Sequence, residues 1–209
     1  MKIMMLVVIL TTLLTLSATA DMIVVKSGNA AIGNIDPFVT VRGAPELGGP
    51  GDPGISLRQA TVVWDQAWVE PVGDSMWLSI ATNTFCLPGW YQFVTHFNMP
   101  CEFTTASIQV TCSGDNGVWS YLNGTWYIGQ GESYNGFRTI TLDNTNAFRV
   151  GDNELTFNVL NGGTAEWPNP VGVDFYAEVQ YTPVPEPSSL LALGGGLVGG
   201  IVLQRRRKI

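Results

Sequence analysis

Apolar and polar residues alternate with a period of two along most of the chain. Every second residue is apolar in residues 105–112, and the same alternation recurs in residues 154–159 and 171–181. Strict alternation is typical of β-strands that bury one face and leave the other in water, as in antiparallel sheets. Residues 75–80 alternate in the same way, and their parity predicts that Trp77 faces outward.

Turn signals separate these segments. Asn123-Gly124 lies between two short apolar runs and predicts a two-residue hairpin, because both central residues of such a turn adopt positive φ. Within residues 21–183, no window of eleven residues has the spacing of an amphipathic helix. We therefore predict an all-β fold, an antiparallel β-sandwich of the jelly-roll type, that spans residues 21–183.

The first twenty residues have the three parts of a secretory signal peptide. Lys2 supplies a positive charge, an apolar run follows, and residues 18–20 form a small-x-small cleavage site. Cleavage is predicted between Ala20 and Asp21, so residues 1–20 are excluded from the fold. The alternative is an uncleaved membrane anchor, for which the apolar run is short.

The C-terminus has the opposite order of parts. Residues 188–203 are uncharged, rich in glycine and largely apolar, and sixteen helical residues would span about 24 Å of a hydrocarbon core of about 30 Å. Flanking arginines can cover this difference. The positive-inside rule predicts that the basic tail stays in the cytoplasm and that the ectodomain faces outward. The motif before the span is Pro185, Glu186 and Pro187, and the basic cluster after it is Arg205, Arg206, Arg207 and Lys208.

This combination resembles the PEP-CTERM sorting signal of Gram-negative bacteria that make extracellular polymer. Pro185, Glu186 and Pro187 match the family motif, and residues 184–209 cover the whole signal. The resemblance implies that an exosortase recognises the tail and processes it near the Pro-Glu-Pro motif. The expected location is the cell envelope or extracellular matrix, with membrane anchoring that is at least transient. A plain C-terminal membrane anchor is the alternative.

The charge of the exported part restricts its partners. Residues 21–187 hold five basic residues against seventeen acidic ones, a formal net charge of −12. Such a domain lacks the basic surface that binds the phosphates of nucleic acid, so nucleic-acid binding is excluded from the predicted functions. A neutral partner, or one bridged by cations, fits this charge better.

Cysteine and histidine usage gives no metal site. Cys86, Cys101 and Cys112 all lie in the exported part, where an oxidising environment permits one disulfide and leaves one thiol, with the pairing open. The chain has no Cys-x-x-Cys spacing, and its single histidine, His96, lies in an aromatic strand where we expect a structural role.

Two oxygen-rich turns, residues 143–146 and 152–154, contain the ligand types that calcium prefers. Asp and Asn are also the ordinary residues of turns, so no cofactor is assigned, and calcium remains an alternative.

A second resemblance covers nearly the whole mature chain. The motifs are degenerate, but their order is similar to that of galactose-binding-like jelly-roll domains. The resemblance implies the fold; carbohydrate-binding modules, adhesion domains and non-binding scaffolds all use it. The segments that carry it are residues 34–37, 77–80, 90–97, 121–125, 152–159 and 169–173.

Seven tryptophans are the main candidates for ligand contact. Their flat amphipathic rings suit stacking on sugar rings, although most are expected in the core. Trp126 follows the Asn123-Gly124 turn and Trp167 lies in a loop, so these two are predicted as ligand platforms.

These observations predict a non-enzymatic surface or matrix protein that binds carbohydrate or associates with exopolysaccharide. One alternative is a structural or adhesive protein with protein partners and no glycan ligand. Another is a secreted glycoside hydrolase, since that chemistry needs only two nearby carboxylates. No nucleophile-elbow motif accompanies His96, so no catalytic residue is assigned.

Overall fold

The computed structural model describes residues 19–48, 53–100, 102–164 and 169–184. The predicted signal-peptide core and the sorting signal from Pro185 onward lie outside these residues. Within the described part of the chain, no helix has the length and apolarity to cross a membrane.

Strands dominate the described residues, together with two single-turn 3-10 helices, Pro45–Leu47 and Thr145–Ala147. The strands, in chain order, are β1 (Asp21–Lys26), β2 (Ile35–Gly43), β3 (Arg58–Val62), β4 (Leu78–Ser79), β5 (Phe85–Cys86), β6 (Gly89–Met99), β7 (Phe103–Asp115), β8 (Gly117–Leu122), β9 (Trp126–Gln130), β10 (Glu132–Ser133), β11 (Arg138–Leu142), β12 (Gly151–Asn161), β13 (Asn169–Pro170) and β14 (Gly172–Pro183).

The strands form two layers that join at one end. The first layer has the order β1–β14–β7–β11, and the second has the order β3–β2–β6–β12–β8–β9. Strand β4 pairs with both β14 and β3, so the layers are parts of one nearly closed, barrel-like sandwich. The predicted all-β sandwich is confirmed. The pairing is antiparallel except for the short parallel contact between β10 and β7, so the sheet is mixed.

The core lies between the two layers and follows the predicted alternation. In β7, Ala106, Ile108, Val110 and Cys112 are buried, at 2% exposure or less. Phe157 of β12 and Phe175 of β14 stack across the interior with ring centroids 4.2 Å apart. Period-two alternation therefore identified the inward faces of the long strands correctly.

The prediction that Trp77 faces outward is wrong. Strand β4 contains only Leu78 and Ser79, so the alternation does not extend through Trp77, which is 0% exposed. The segment between β3 and β4 folds back over the outer side of the first layer. It forms a small second core of Val63, Trp68 and Trp77.

The Asn123-Gly124 hairpin between β8 and β9 is confirmed. Both residues have positive φ, 52° for Asn123 and 70° for Gly124. The Asn123 side chain also ties the turn to its surroundings. Its Nδ2 donates to Ala147 O at 2.8 Å and to Asn153 Oδ1 at 2.9 Å, and its Oδ1 accepts from the Glu154 N–H at 3.0 Å.

Replacing Asn123 by glycine should therefore destabilise the protein without removing the turn geometry. Glycine adopts positive φ freely, but the Glu154 N–H and the Ala147 carbonyl lose their partner. We expect a loss of about 1–3 kcal/mol in the free energy of unfolding, measured by urea denaturation. Asn135→Gly, in an exposed turn, is the control; equal losses in both variants would contradict the assigned role of the side chain.

Two of the three cysteines lie in the described residues. Cys86 and Cys112 are both buried free thiols, so they are not bonded to each other. Burial raises the pKa of Cys86 to about 11 and that of Cys112 to about 12. Cys101, the third cysteine, lies outside the described residues.

Candidate functional site

The second layer presents an outer surface on which aromatic and polar side chains form two rows across the strands. One row runs from Arg42 on β2 through Gln92, Asn158 and Trp119 to Gln130 on β9. Residues directly opposite each other on neighbouring strands share one face of a sheet, so these side chains are adjacent.

The second row is displaced from the first by two residues along most of the strands. It places Thr40, Val94, Thr156, Tyr121 and Tyr127 side by side on the same surface. Rows that are two residues apart point the same way because the side-chain period of a strand is two. The result is a continuous surface that no stretch of local sequence reveals.

A chain of hydrogen bonds crosses the first row. The Arg42 guanidinium donates to Gln92 Oε1 from Nε at 3.0 Å and from Nη2 at 2.8 Å. Gln92 Nε2 then donates to Asn158 Oδ1 at 3.1 Å. Arg42 also forms an ion pair with Glu46, which holds the pKa of Glu46 below its ordinary value. These contacts fix planar polar groups in place between the aromatic rings.

Four aromatic rings flank this hydrogen-bonded chain. Trp90 and Trp119 pack edge to face with centroids 5.0 Å apart, and Tyr121 and Tyr127 lie 5.4 Å apart. Trp90, Trp119 and Tyr121 are half-buried, while Tyr127 is 50% exposed. We call the surface formed by these four rings with Arg42, Gln92 and Asn158 the outer aromatic face.

Trp126 does not belong to the outer aromatic face. It pairs with the buried Leu122, and strand alternation directs it to the side opposite its neighbour Tyr127. It is 38% exposed, so it is accessible to a ligand, and its role as a platform stays a prediction. Trp167 lies outside the described residues.

The oxygen-rich turns are engaged in internal hydrogen bonds. Asn144 Oδ1 accepts from the Asn146 N–H at 3.1 Å, and Asn153 Oδ1 accepts from the Arg149 N–H at 2.9 Å. Asp152 lies 3.0 Å from His96 Nδ1. In the part of the chain that the structure describes, no three His, Cys, Asp or Glu side chains are arranged to hold a metal ion.

Two buried carboxyls lie beneath the segment that carries the second core. Burial raises the pKa of Asp174 to about 6, although the Ser27 hydroxyl donates to its Oδ1 at 2.9 Å. Burial also raises the pKa of Asp115, whose Oδ2 accepts from the Trp68 indole N–H at 2.9 Å. Both groups lie away from the outer aromatic face, so they do not contribute to its chemistry.

The fold and this surface define the class: an all-β, barrel-like sandwich with aromatic rings on the outer face of one layer. Residues 183–208 match the family described as the PEP-CTERM protein-sorting motif. The chain therefore carries a PEP-CTERM sorting motif at its C-terminus, which implies an exported, surface-sorted protein that an exosortase processes. A search of the curated proteins finds no match to this sequence.

Several solved structures are distantly similar to this chain. The FMN-binding beta-glucuronidase from Facaelibacterium prausnitzii L2-6 is 18% identical, with a TM-score of 0.43 over 77% of this chain and 23% of that protein. The Ruminococcus gnavus beta-glucuronidase is 13% identical, with a TM-score of 0.43 over 77% and 28%. The CBM36-1 domain of a multidomain xylanase from the hindgut metagenome of Trinervitermes trinervoides is 8% identical, with a TM-score of 0.34 over 76% and 96%.

This chain thus spans 23% and 28% of the length of those two glucuronidases. Their enzymatic activities belong to proteins that are several times longer than this chain.

Most of the outer aromatic face cannot be predicted from single segments of sequence. Tyr121 and Tyr127 lie on either side of the predicted hairpin, so their proximity followed from the Asn123-Gly124 turn. The contribution of Arg42 and Gln92 depends on β2 and β6 pairing across about fifty residues of sequence, for which no local signal exists.

Proposed function

We propose that this exported protein binds neutral carbohydrate of the extracellular matrix through the outer aromatic face, without catalysing a reaction. The sorting motif implies export and exosortase processing. The finer assignment of the sandwich to galactose-binding-like jelly rolls is part of this proposal. Its support is the order of strand pairing, in which β14 and β7 form one layer and β6, β12 and β8 form the other.

One observation carries the proposal: half-exposed rings lie beside a pre-ordered row of amide and guanidinium groups. Binding sites for small ligands combine apolar and aromatic surface with a few fixed polar groups. The rings offer stacking surface for the C–H faces of sugars, and the half-buried Arg42 guanidinium and Gln92 amide offer polar groups for hydroxyls. Asn158 is buried and holds the Gln92 amide in place. Because the positions of these polar groups are set by hydrogen bonds before binding, little side-chain entropy is lost.

The net charge of −12 over residues 21–187 supports a neutral polymer over a polyanionic one. An acidic polysaccharide would be repelled at low salt and would approach only with bridging cations. The proposal therefore includes the expectation that added salt changes the affinity by less than about twofold.

The test is binding of the full exported chain, in detergent micelles, to exopolysaccharide extracted from its host, measured by affinity electrophoresis. Tyr127→Ala and Gln92→Ala should each weaken binding by about tenfold, equivalent to about 1.4 kcal/mol. Tyr134→Ala removes an equally large ring that is 37% exposed away from this face, and it should bind like the wild type.

The same experiment separates the two predicted ligand surfaces. If Trp126→Ala abolishes binding while Tyr127→Ala does not, the ligand contacts the opposite side of β9, and the outer aromatic face is not the site. Turnover of a chromogenic glycoside by the purified protein would contradict the non-enzymatic role. Repeating the titration with a chelator tests whether the oxygen-rich turns contribute through calcium.

A further inference from the structure

The sandwich is closed at one end and open at the other. At the closed end, β4 hydrogen-bonds to β14 on one side and to β3 on the other. At the open end, β1 takes the corresponding place beside β14, and no other described strand pairs with it. The outer edge of β1, Asp21–Lys26, therefore has no strand partner among the described residues, although the Lys26 carbonyl at its end accepts from Asn29 Nδ2.

The opposite wall of this opening is the end of β6. Strand β2 pairs with β6 only as far as the contact of Val39 with Thr95. Beyond that point β6 continues to Met99 and pairs with β12 alone among the described strands. Two unpaired strand edges therefore border the opening, one from each layer.

The main-chain groups of both edges point into the opening. On β1, the Ser27 N–H donates to Phe175 O of β14 at 3.0 Å, whereas the Lys26 carbonyl faces away and accepts from Asn29 Nδ2 at 2.9 Å. Main-chain groups alternate in direction along a strand, so those of Met22 and Val24 point away from β14 as well.

The main-chain groups of β6 alternate in direction in the same way. The carbonyl of Trp90 accepts from the Ala44 N–H at 2.9 Å, on the side where β2 lies. The carbonyl of Val94 accepts from the Thr40 hydroxyl at 3.5 Å on the same side. The main-chain groups of His96 and Asn98 therefore point to that side too. The pairing of Val39 with Thr95 uses the His96 N–H, so the His96 carbonyl and both main-chain groups of Asn98 lie beyond the end of the pairing with β2.

Asp36 fixes the conformation of the chain at the opening by hydrogen bonds. Its carboxylate is 0% exposed and accepts from the N–H groups of Gly28 and Asn29, each at 2.9 Å, and from that of Phe38 at 2.8 Å. These bonds fix the start of β2 to the loop after β1 and away from β6. What remains is a groove of about 410 Å³, lined by residues 23–26 of β1, residues 95–98 of β6, Asn29 and Phe38.

We propose that this groove accepts an extended segment of a partner protein as an added β-strand, which completes the closure of the sandwich. Unpaired edges are templates for another strand, and recognition by strand addition uses main-chain hydrogen bonds for affinity and side-chain pockets for specificity. The ring of Phe38, 65% exposed over the groove, supplies an apolar contact for alternate side chains of the incoming strand.

The partner segment is basic. A second copy of this chain carries the same net charge of −12 over residues 21–187 and is disfavoured as the occupant. The carboxylates nearest the groove, Asp74 beside Lys26 and Asp152 beside His96, have side chains that are 73% and 72% exposed. Asp74 already pairs with Lys26 and Asp152 with His96, so each would share its exposed carboxylate with a cationic side chain of the added strand. This inference does not depend on the outer aromatic face.

The test uses the full exported chain in detergent micelles and eight-residue fluorescent peptides that alternate valine with lysine, threonine or glutamate. Fluorescence anisotropy should show that the lysine peptide binds at least tenfold more tightly than the glutamate peptide. The same lysine peptide with alternate N-methylated amides should bind at least tenfold more weakly than its parent, because it cannot form the main-chain bonds. Failure of every peptide in the set to bind would overturn the proposal.

Val24→Pro is the decisive variant. Its N–H points into the groove and not to β14, so proline removes a groove donor and leaves the pairing of β1 with β14 in place. We expect at least a tenfold loss of peptide affinity, whereas Val24→Thr, which keeps the N–H, should stay within twofold. Unchanged binding by Val24→Pro in a folded protein would overturn the proposal.

Hydrogen exchange gives a readout that does not depend on a variant. Bound peptide should slow exchange at the amides of Met22, Val24 and Asn98 and leave unchanged that of Ile23, which faces β14. Uniform protection of all these amides, or displacement of the peptide by a neutral oligosaccharide, would show that the groove is not a strand acceptor.

Discussion

Replacing Trp77 by alanine should lower the free energy of unfolding by about 3–5 kcal/mol. The side chain is 0% exposed, its ring stacks on that of Trp68 at 4.5 Å, and its Nε1 donates to the Val69 carbonyl at 2.9 Å. Alanine would leave a cavity the size of an indole and an unsatisfied carbonyl. The measurement is urea denaturation followed by near-ultraviolet circular dichroism.

The matched control is Trp126→Ala, which removes the same ring from a position that is 38% exposed. A loss below about 1 kcal/mol is expected there, because little buried surface disappears. An equal loss in the free energy of unfolding for both variants would show that the segment between β3 and β4 does not form a second core. That segment would then not stabilise the first layer.

Stability should fall by about 2–3 kcal/mol between pH 4 and pH 7 through Asp174 alone. Burial raises the pKa of this carboxyl from 3.8 to about 6, so the folded protein keeps a proton that the unfolded chain releases. Each pH unit between these values corresponds to about 1.4 kcal/mol. The stabilising contribution is complete below the unfolded pKa and is lost as the pH rises through the folded pKa.

Asp174→Asn should remove this part of the pH dependence, because asparagine does not titrate. The free energy of unfolding, measured at several pH values between 4 and 7, should decline less steeply in the variant than in the wild type. Asp143→Asn, in an exposed turn, is the control and should decline like the wild type. An identical decline in all three proteins would show that Asp174 is ionised in the folded state throughout this range.

Both predictions arise from one feature, the segment between β3 and β4. It covers the outer side of β14, so Val173, Asp174 and Phe175 are all 0% exposed although they alternate in direction. The Val72 N–H of this segment donates to Asp174 Oδ2 at 3.4 Å. Removal of Trp77 should therefore also hydrate Asp174 and reduce the pH dependence, which couples the two experiments.

Local sequence determined the C-terminal sorting signal and most of the strands. The Pro-Glu-Pro motif, apolar span and basic cluster of residues 184–209 are contiguous, so their order was sufficient to indicate a sorting signal, and the family match to residues 183–208 confirms that motif. The inward faces of β7 and β14 followed from period-two alternation, and the β8–β9 hairpin followed from Asn123-Gly124, because these features depend only on neighbours along the chain.

Tertiary structure alone decided which tryptophans are exposed and which residues meet on a surface. Alternation assigns residues to the two faces of a strand, but it does not tell whether a distant segment covers the outer face, and Trp77 was misplaced for that reason. The Arg42–Gln92–Asn158 row and the groove between β1 and β6 join residues about fifty or more positions apart. Their proximity is set by strand order and by where pairing stops, and neither is encoded in a local pattern.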